Sequence, residues 1–277
     1  MSFFKTFLAK PSKGSLFSAL VADRPVNVER DIAYGNHSRH RLDVYRPVVK
    51  TRKTPIVVFL YGGGWDSGEK EFYGFVGSAF ASIGCIAVIP DYRLYPEVRY
   101  PEFMKDATHS YNWAVQNLTK GEPAHSPVFI SGHSAGAHIG ALLCYDPQYL
   151  DTLHPKVPSP QGFIGLSGPY GFDPTTHHRS RHIFVDAQNA AQVQPVNQVR
   201  KGAPPAILMH GAKDTTVKTQ NAYRMRDRLS EAGSYAHAIE YEGIGHTGLV
   251  LTLARLSRHR ASVLERIAEF INSQSAL

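Results

Sequence analysis

The sequence predicts an α/β protein whose mostly parallel, doubly wound sheet is flanked by helices. Continuous apolar runs, each ending in small or charged residues, are typical of parallel strands that are covered on both faces. They span residues 55–60, 85–90, 127–130, 162–166 and 205–209. Segments with helical spacing lie between these runs, and this alternation predicts right-handed crossovers.

The remaining elements follow from local patterns. Residues 28–34 and 41–45 predict a leading antiparallel hairpin, and the alternating stretch 236–241 predicts a strand near the sheet edge. Apolar residues at helical spacing predict four helices. Their stripes are Phe72, Val76, Phe80 and Ile83; Phe103, Ala107, Tyr111, Ala114 and Leu118, after Pro101; Ala222, Met225 and Leu229, ended by Gly233; and Leu249, Leu253, Leu256, Val263, Ile267 and Phe270 in one closing helix.

We expect one domain over residues 1–277, because neither an internal repeat nor an interdomain linker is visible. Between 168 and 203 the alternation of apolar strand and helix segments stops, and His, Gln, Asn and Pro are frequent. This indicates a cap insertion after the sixth strand. Apolar residues near the N-terminus could cover the mouth of the site or dock on the body as a helix. They are Phe3, Phe4, Phe7, Leu8, Leu16, Phe17 and Leu20.

Composition narrows the classes of function. The net charge is +7, but without a basic run or a nucleic-acid motif we expect a diffusely basic surface and no nucleic-acid partner. The N-terminal stretch is interrupted at Lys10, Pro11 and Lys13, so we expect neither a signal peptide nor stable membrane insertion. Cys85 and Cys144 each lie in an apolar element, as buried thiols of a cytoplasmic protein do. A homodimer stays open.

The segment from Phe129 to His138 contains a Gly-x-Ser-x-Gly turn between a predicted strand and a predicted helix. Such a turn lifts the hydroxyl of Ser134 clear of the sheet. Gly132 and Gly136 allow strand and helix to approach closely. The turn also sets the serine at a helix N-terminus, where free N–H groups can stabilise negative charge.

A serine hydroxyl needs a base, and the base needs an orienting group. Asp214 follows the strand that ends near residue 209, and His246 follows the last strand. Because such groups gather at the carboxyl ends of parallel strands, Ser134, Asp214 and His246 are the predicted catalytic residues. The expected chemistry is acyl transfer, with His246 as general base and Asp214 fixing its tautomer.

A second motif, Tyr61-Gly62-Gly63-Gly64-Trp65, follows the predicted strand 55–60. Three glycines allow the backbone to turn its N–H groups inward, where a tetrahedral oxyanion needs donors. The candidate oxyanion-hole donors are the N–H groups of Gly63, Gly64 and Ala135. Trp65 is the candidate residue for lining the substrate pocket.

With these motifs the chain resembles the α/β-hydrolase superfamily, in its hormone-sensitive-lipase-like, feruloyl-esterase and kynurenine-formamidase-like branch, over roughly residues 30–270. The resemblance implies the α/β-hydrolase fold and includes Asp91-Tyr92-Arg93-Leu94 and Asp106. Family members usually carry His where this chain has Tyr61. That side chain usually braces the glycine loop through hydrogen bonds, which a tyrosine hydroxyl can also make.

The leading functional hypothesis is a serine carboxylesterase for small acyl esters, with a small-molecule ester as partner and without a cofactor. An arylformamidase using the same three residues is the alternative, and a non-catalytic binding protein on a hydrolase scaffold is the rival from another class. His177, His178 and His182 could suggest a metal, but we expect a solvated loop or a substrate contact there, so no metal is predicted. Asp91 and Arg93 are expected to form an ion pair or brace a loop, and His210 is not expected to be the base.

Overall fold

The computed structural model describes residues 14, 18, 22–23, 26–49, 53–119 and 126–276. In this part of the chain eight strands form one sheet. They are β1 (Asn27–Ala33), β2 (Arg41–Arg46), β3 (Ile56–Leu60), β4 (Ile86–Pro90), β5 (Val128–His133), β6 (Gly162–Leu166), β7 (Ala206–Gly211) and β8 (Ala236–Tyr241). The predicted apolar segment near the N-terminus lies almost entirely outside the described residues.

The strand order is β1-β2-β4-β3-β5-β6-β7-β8. Strand β2 runs antiparallel to both of its neighbours, β1 and β4. From β4 across to β8 every neighbouring pair is parallel. The predicted hairpin and the mostly parallel sheet are therefore confirmed, and β5 lies in the middle of the sheet.

The described α-helices are α1 (Gly74–Ser82), α2 (Glu102–Leu118), α3 (Ala135–Tyr145), α4 (Pro147–Asp151), α5 (Gln220–Glu231), α6 (His246–Leu251) and α7 (Val263–Ser275). Short 3-10 helices span Lys70–Tyr73, Ala190–Val193, Pro195–Asn197 and Arg258–Arg260. Among the helices formed by the described residues, none combines the length and apolarity that a bilayer span requires.

Helices cover both faces of the sheet. On one face, Phe59 of β3 packs against Phe80 of α1, and Phe129 of β5 packs against Phe270 of α7. On the other, α3 crosses β5 so closely that a Cβ on Gly140 would touch the side chain of Ile130. Successive side chains of a strand point to opposite faces, so β5 is buried between α7 and α3.

The sequence pattern predicted α2 and α5 well. The stripe of α2 is buried at Phe103, Ala107, Tyr111 and Ala114. Helix α5 ends at Glu231, and Gly233 has the left-handed φ of +79° that favours glycine after a helix. Both thiols are also buried as expected, at Cys85 and Cys144.

Two predicted helices are wrong in part. Phe72 lies in the 3-10 helix before α1 and is 41% exposed, so only Val76 and Phe80 of its stripe are buried. The predicted closing helix is two helices, α6 and α7, and Leu256 between them is 61% exposed. The break has a local cause, because the hydroxyl of Ser257 donates to the Leu251 carbonyl at the end of α6.

Residues 168–203 contain turns and two short 3-10 helices. The segment nevertheless buries apolar side chains against the core. They are Tyr170, Ile183, Phe184, Val193 and Val199. This explains why the sequence pattern failed here: the buried residues are spaced irregularly, as in a loop packed on a core.

Candidate active site

The turn after β5 has the strained geometry that the motif predicts. Ser134 has a φ of 54° and a ψ of −122°, and α3 begins at the next residue. A Cβ on Gly136 would overlap the carbonyl oxygen of Leu60, and one on Gly132 would overlap the backbone of Gly136. Glycine is therefore required at both positions, and the tight turn leaves the serine at the N-terminus of α3.

The structure brings Ser134, His246 and Asp214 together. His246 Nε2 lies 2.8 Å from Ser134 Oγ, and His246 Nδ1 lies 2.7 Å from Asp214 Oδ2. Both are hydrogen-bond distances. These side chains come from residues 112 and 32 positions apart in the chain, so the fold alone makes the arrangement.

Two neighbouring loops hold Asp214 and His246 in place. The N–H of Lys213 donates to the Ile244 carbonyl at 2.8 Å, and the N–H of Ala212 donates to the Tyr241 carbonyl at 2.9 Å. These bonds join the loop after β7 to the loop after β8. His246 then begins α6, whose Leu249 and Val250 are buried, and this packing anchors the histidine backbone.

Asp214 is a fully buried carboxylate with a complete set of donors. Its Oδ1 accepts the N–H groups of Thr216 and Val217 at 2.9 and 2.8 Å, while Oδ2 accepts from His246. Burial by itself would raise the pKa of this carboxyl, but hydrogen bonds from His210, His246 and Val217 hold the pKa well below its usual range. Asp214 is thus ionised and can stabilise a positive charge on His246.

His133 packs beside His246 with ring centroids 4.9 Å apart, and its Nε2 lies 3.2 Å from the His246 carbonyl oxygen. Burial, together with the nearby His246, lowers the pKa of His133 to about 3. The ring is therefore neutral at physiological pH. It packs against His246 without adding a second positive charge beside Asp214.

The glycine loop after β3 turns through left-handed backbone. Gly63, Gly64 and Trp65 have φ values of 137°, 62° and 64°. A Cβ on Gly63 would overlap the carbonyl oxygen of Ser67. The loop also lies against the elbow, since a Cβ on Gly62 would come within 3.0 Å of the Ser134 Cβ. The predicted donors of Gly63 and Gly64 thus belong to a loop that adjoins the serine, and Ala135 opens the first turn of α3.

Tyr61 braces this loop from below. Its hydroxyl donates to Asp91 Oδ1 at 2.7 Å and accepts from Arg39 Nη2 at 2.8 Å. Burial raises the pKa of Tyr61 well above its ordinary value, so the phenol keeps its proton for Asp91. Arg39 also donates to the Gly68 carbonyl at 2.9 Å, which closes the far end of the loop. The expectation that a tyrosine hydroxyl can replace a bracing histidine is met.

Asp91 and Arg93 do not pair with each other. Asp91 accepts from Tyr61 and from the N–H of Lys70, and Arg93 instead pairs with Asp106 at 2.7 Å. Each still braces a loop, which was the other half of the prediction.

Trp65 is buried under the 168–203 segment. Its ring meets His138 and Phe184 edge-on, with centroids 5.2 and 5.0 Å away. His138 lies one turn into α3, and its Nε2 is 2.7 Å from the Val193 carbonyl oxygen. Trp65 therefore joins the glycine loop, the elbow helix and the segment 168–203 at one point.

The three histidines of segment 168–203 are not arranged as metal ligands. His177 and His178 lie side by side with centroids 4.4 Å apart, whereas His182 packs against Tyr95. Across the described residues, no group of three or more His, Cys, Asp or Glu side chains is placed to hold a metal ion.

Sequence reasoning missed Arg39 and Lys70, and it named His210 only to exclude it as the base. Lys70 is only 2% exposed although lysine is usually a surface residue, and it contacts Asp31, Asp43 and Glu71. Local pattern carries no signal for such a buried ion cluster. For His210 the sequence did contain a signal, because this residue stands four residues before Asp214 at the end of β7.

The fold and this site define an α/β-hydrolase, and the chain belongs to that superfamily. Residues 42–161 match the BD-FAE family, and residues 170–276 match the prolyl oligopeptidase family. The predicted membership is thereby confirmed.

Among curated proteins, the chain is 29% identical to a probable isoprenylcysteine α-carbonyl methylesterase of Arabidopsis thaliana, over 81% of this chain and 58% of that one. It is 30% identical to esterase LipC of Mycobacterium tuberculosis, over 78% of this chain and 59% of that one. The chain thus spans less than two thirds of the length of these relatives.

Among solved structures, a truncated carbohydrate esterase from gut microbiota superposes with a TM-score of 0.74 at 18% identity, covering 91% of this chain and 97% of that one. Esterase 2 of Thermogutta terrifontis superposes with a TM-score of 0.69 at 22% identity, covering 89% and 91%. These likenesses confirm the predicted fold.

Proposed function

We propose that the protein is a serine carboxylesterase that hydrolyses esters with small acyl groups through an acyl-enzyme intermediate. The observation that carries this proposal is the hydrogen-bonded chain from Ser134 Oγ through the His246 ring to Asp214. The curated relatives described above are named esterases, which supports the same reaction class. None of those relatives is named a formamidase, so the esterase hypothesis is kept.

In the proposed first half-reaction, Ser134 Oγ attacks the acyl carbon while its proton passes to His246 Nε2. The carbonyl oxygen becomes an oxyanion in a tetrahedral intermediate. When the intermediate collapses, the bond to the leaving alcohol breaks and His246 returns the proton to the alcohol oxygen. An acyl ester on Ser134 remains.

Water completes the proposed cycle. His246 takes a proton from water, whose oxygen attacks the acyl carbon of the ester on Ser134. Collapse of the second intermediate releases the carboxylic acid and returns the proton to Ser134 Oγ. In both halves the anionic Asp214 stabilises the positive charge of the imidazolium. Little reorganisation free energy is required, because backbone N–H groups already hold the carboxylate in place.

The oxyanion is assigned to the N–H groups of Gly63, Gly64 and Ala135. This assignment is supported by the left-handed backbone of the glycine loop and by the position of Ala135 at the start of α3. Removing one such donor typically costs about 10²–10³-fold in kcat. Backbone donors cannot be removed by side-chain substitution. Substitution of Tyr61, which braces the glycine loop, can instead be used to perturb their positions.

We assign Trp65 to the substrate pocket and residues 168–203 to a cap over it, within a single domain. Both assignments are supported by the contacts of Trp65 with Phe184 of the segment and His138 of the elbow helix. A cap packed this closely favours small acyl groups over long chains. A cytoplasmic location and a homodimer stay predictions.

A p-nitrophenyl ester series tests the proposal. We expect the acetate and butyrate to be hydrolysed with higher kcat/KM than the octanoate, and we expect Ser134→Ala to lose at least about 10⁴-fold in kcat. N-formylkynurenine is the comparison substrate. A preference for this formamide of several hundredfold over the esters would overturn the assignment, as would a folded wild type that hydrolyses none of them.

A further inference from the structure

A second imidazole lies on the same oxygen of Asp214 that His246 uses. His210 Nε2 is 3.2 Å from Asp214 Oδ2, and it is also 2.9 Å from the Val217 carbonyl oxygen. The His210 side chain is 1% exposed, and the Asp214 side chain is fully buried. Water is therefore excluded from this contact. The polar group that contacts Asp214 Oδ2 on this side is the His210 ring, and not a solvent molecule.

The partners of His210 fix which nitrogen carries the proton. Both groups near Nε2 are acceptors, the carboxylate of Asp214 and the carbonyl of Val217, so the proton belongs on Nε2. His210 Nδ1 is buried and has no hydrogen-bond partner among the described residues. A proton on Nδ1 would leave a buried donor unsatisfied, and the ring is thus restricted to the Nε2–H tautomer.

Asp214 thus has three donors of its own, and it shares a fourth, the His210 Nε2–H, with the Val217 carbonyl. The N–H groups of Thr216 and Val217 hold Oδ1, while the two imidazoles approach Oδ2. Rotation of the carboxylate would break bonds on both oxygens at once. The loop is held too, because the His210 ring also binds the carbonyl of Val217, three residues beyond Asp214.

We propose that His210 is a positioning residue, which orients the Asp214 carboxylate toward His246 through a hydrogen bond from its Nε2–H. The proposal rests on the proposed esterase function. His210 does not touch the reacting atoms, and its effect on turnover passes through Asp214. Its alternative role is merely to fill space at the end of β7, next to Met209 and Gly211.

The two side-chain amides distinguish these roles. In His210→Gln the amide nitrogen can reach the place of the histidine Nε2, whereas the shorter amide of His210→Asn cannot. Both variants put a neutral polar group in the same buried space. A purely space-filling role predicts similar losses in the two variants, and the positioning role predicts rescue in His210→Gln alone.

We expect His210→Asn to lower kcat for p-nitrophenyl acetate by about 10–100-fold, the value of one hydrogen bond to a buried charge, with KM changed less than about threefold. His210→Gln should stay within about fivefold of wild type in kcat. Leu208→Met, a volume-conserving change in the same buried strand, controls for disturbance of β7. Urea unfolding of each variant reports the folded fraction.

A double-mutant cycle with Asp214→Asn separates action through Asp214 from any other route. If His210 acts through this carboxylate, His210→Asn should cost less than about threefold in the Asp214→Asn background. Equal losses in His210→Asn and His210→Gln, or full additivity with Asp214→Asn, would overturn the proposal.

Wild-type turnover tests the esterase function separately from the role of His210. Should the wild type fail to hydrolyse esters, the same cycle is measured as the rate at which a fluorophosphonate labels Ser134. That rate depends on activation of the serine and needs no ester substrate. The ratio of His210→Gln to His210→Asn then decides the inference.

Discussion

At the scale of the residue, the site depends on a few buried polar groups that are almost fully paired. Asp214 illustrates this, because a carboxylate without exposure to water would be neutral unless donors stabilised its charge. Its backbone donors and its two imidazoles supply that stabilisation. The same charge is then available to a protonated His246 in the proposed reaction.

Asp214→Asn should lower kcat by about 10⁴-fold, and by no more than Ser134→Ala does, because an amide can favour the wrong tautomer of His246. Steady-state kinetics on p-nitrophenyl acetate measures this. Asp146→Asn is the matched control, since Asp146 is also a buried carboxylate that accepts a backbone N–H, from Gln148. A control that loses as much activity as Asp214→Asn would refute the role of Asp214.

At the scale of the element, the glycine loop after β3 is shaped by a side chain beneath it. Tyr61 is fully buried, and its ring stacks on Tyr92 with centroids 4.7 Å apart. Its hydroxyl links Asp91 and Arg39, which in turn holds the Gly68 carbonyl. The geometry of the proposed oxyanion donors thus depends on one phenolic oxygen.

Tyr61→Phe should lower kcat by about tenfold and the free energy of unfolding by about 1–2 kcal/mol, because two buried hydrogen bonds are lost. Tyr111→Phe is the control, since its hydroxyl makes a comparable bond to the Pro158 carbonyl at 2.8 Å, on α2 instead of the glycine loop. It should lose stability while keeping kcat. If Tyr61→Phe keeps wild-type kcat, the brace does not serve the oxyanion donors.

The sequence predicted those parts of the fold and the site that depend on local features, such as an apolar run or the end of a strand. The strands, the elbow at Ser134 and the residues after β7 and β8 were predictable, because apolar runs and strand ends are local features. His210 lies only four residues before Asp214, so its contact was also within reach of local reasoning. The contacts of Arg39 and Lys70 were not predictable, since each joins elements that only the folded sheet brings together. The pairing of Arg93 with Asp106 instead of Asp91 has the same origin.

At the scale of the whole molecule, buried charge makes stability depend on pH. Burial is the largest effect on Asp91 and raises its pKa from 3.8 to about 6, although Tyr61, Arg39 and the Lys70 N–H oppose this. The folded state therefore holds the proton over a range in which the unfolded state has released it. As pH rises through that range, Asp91 destabilises the fold.

Compared with Asp91→Asn, the wild type should lose about 3 kcal/mol of unfolding free energy between pH 4 and pH 6, and the difference should be constant above that range. Urea unfolding of both proteins at intervals of half a pH unit measures the difference. Other titrating groups cancel in this comparison. A difference that grows in the opposite direction would contradict the raised pKa.

The central claim is that Ser134 is a nucleophile activated by His246. The most direct test is intact-protein mass spectrometry after incubation with a fluorophosphonate, which forms a covalent bond with an activated serine hydroxyl. We predict one adduct, on Ser134, forming at least about 10³-fold more slowly in His246→Ala and absent from Ser134→Ala. A folded wild type that stays unlabelled, or that labels as fast without His246, would contradict the claim.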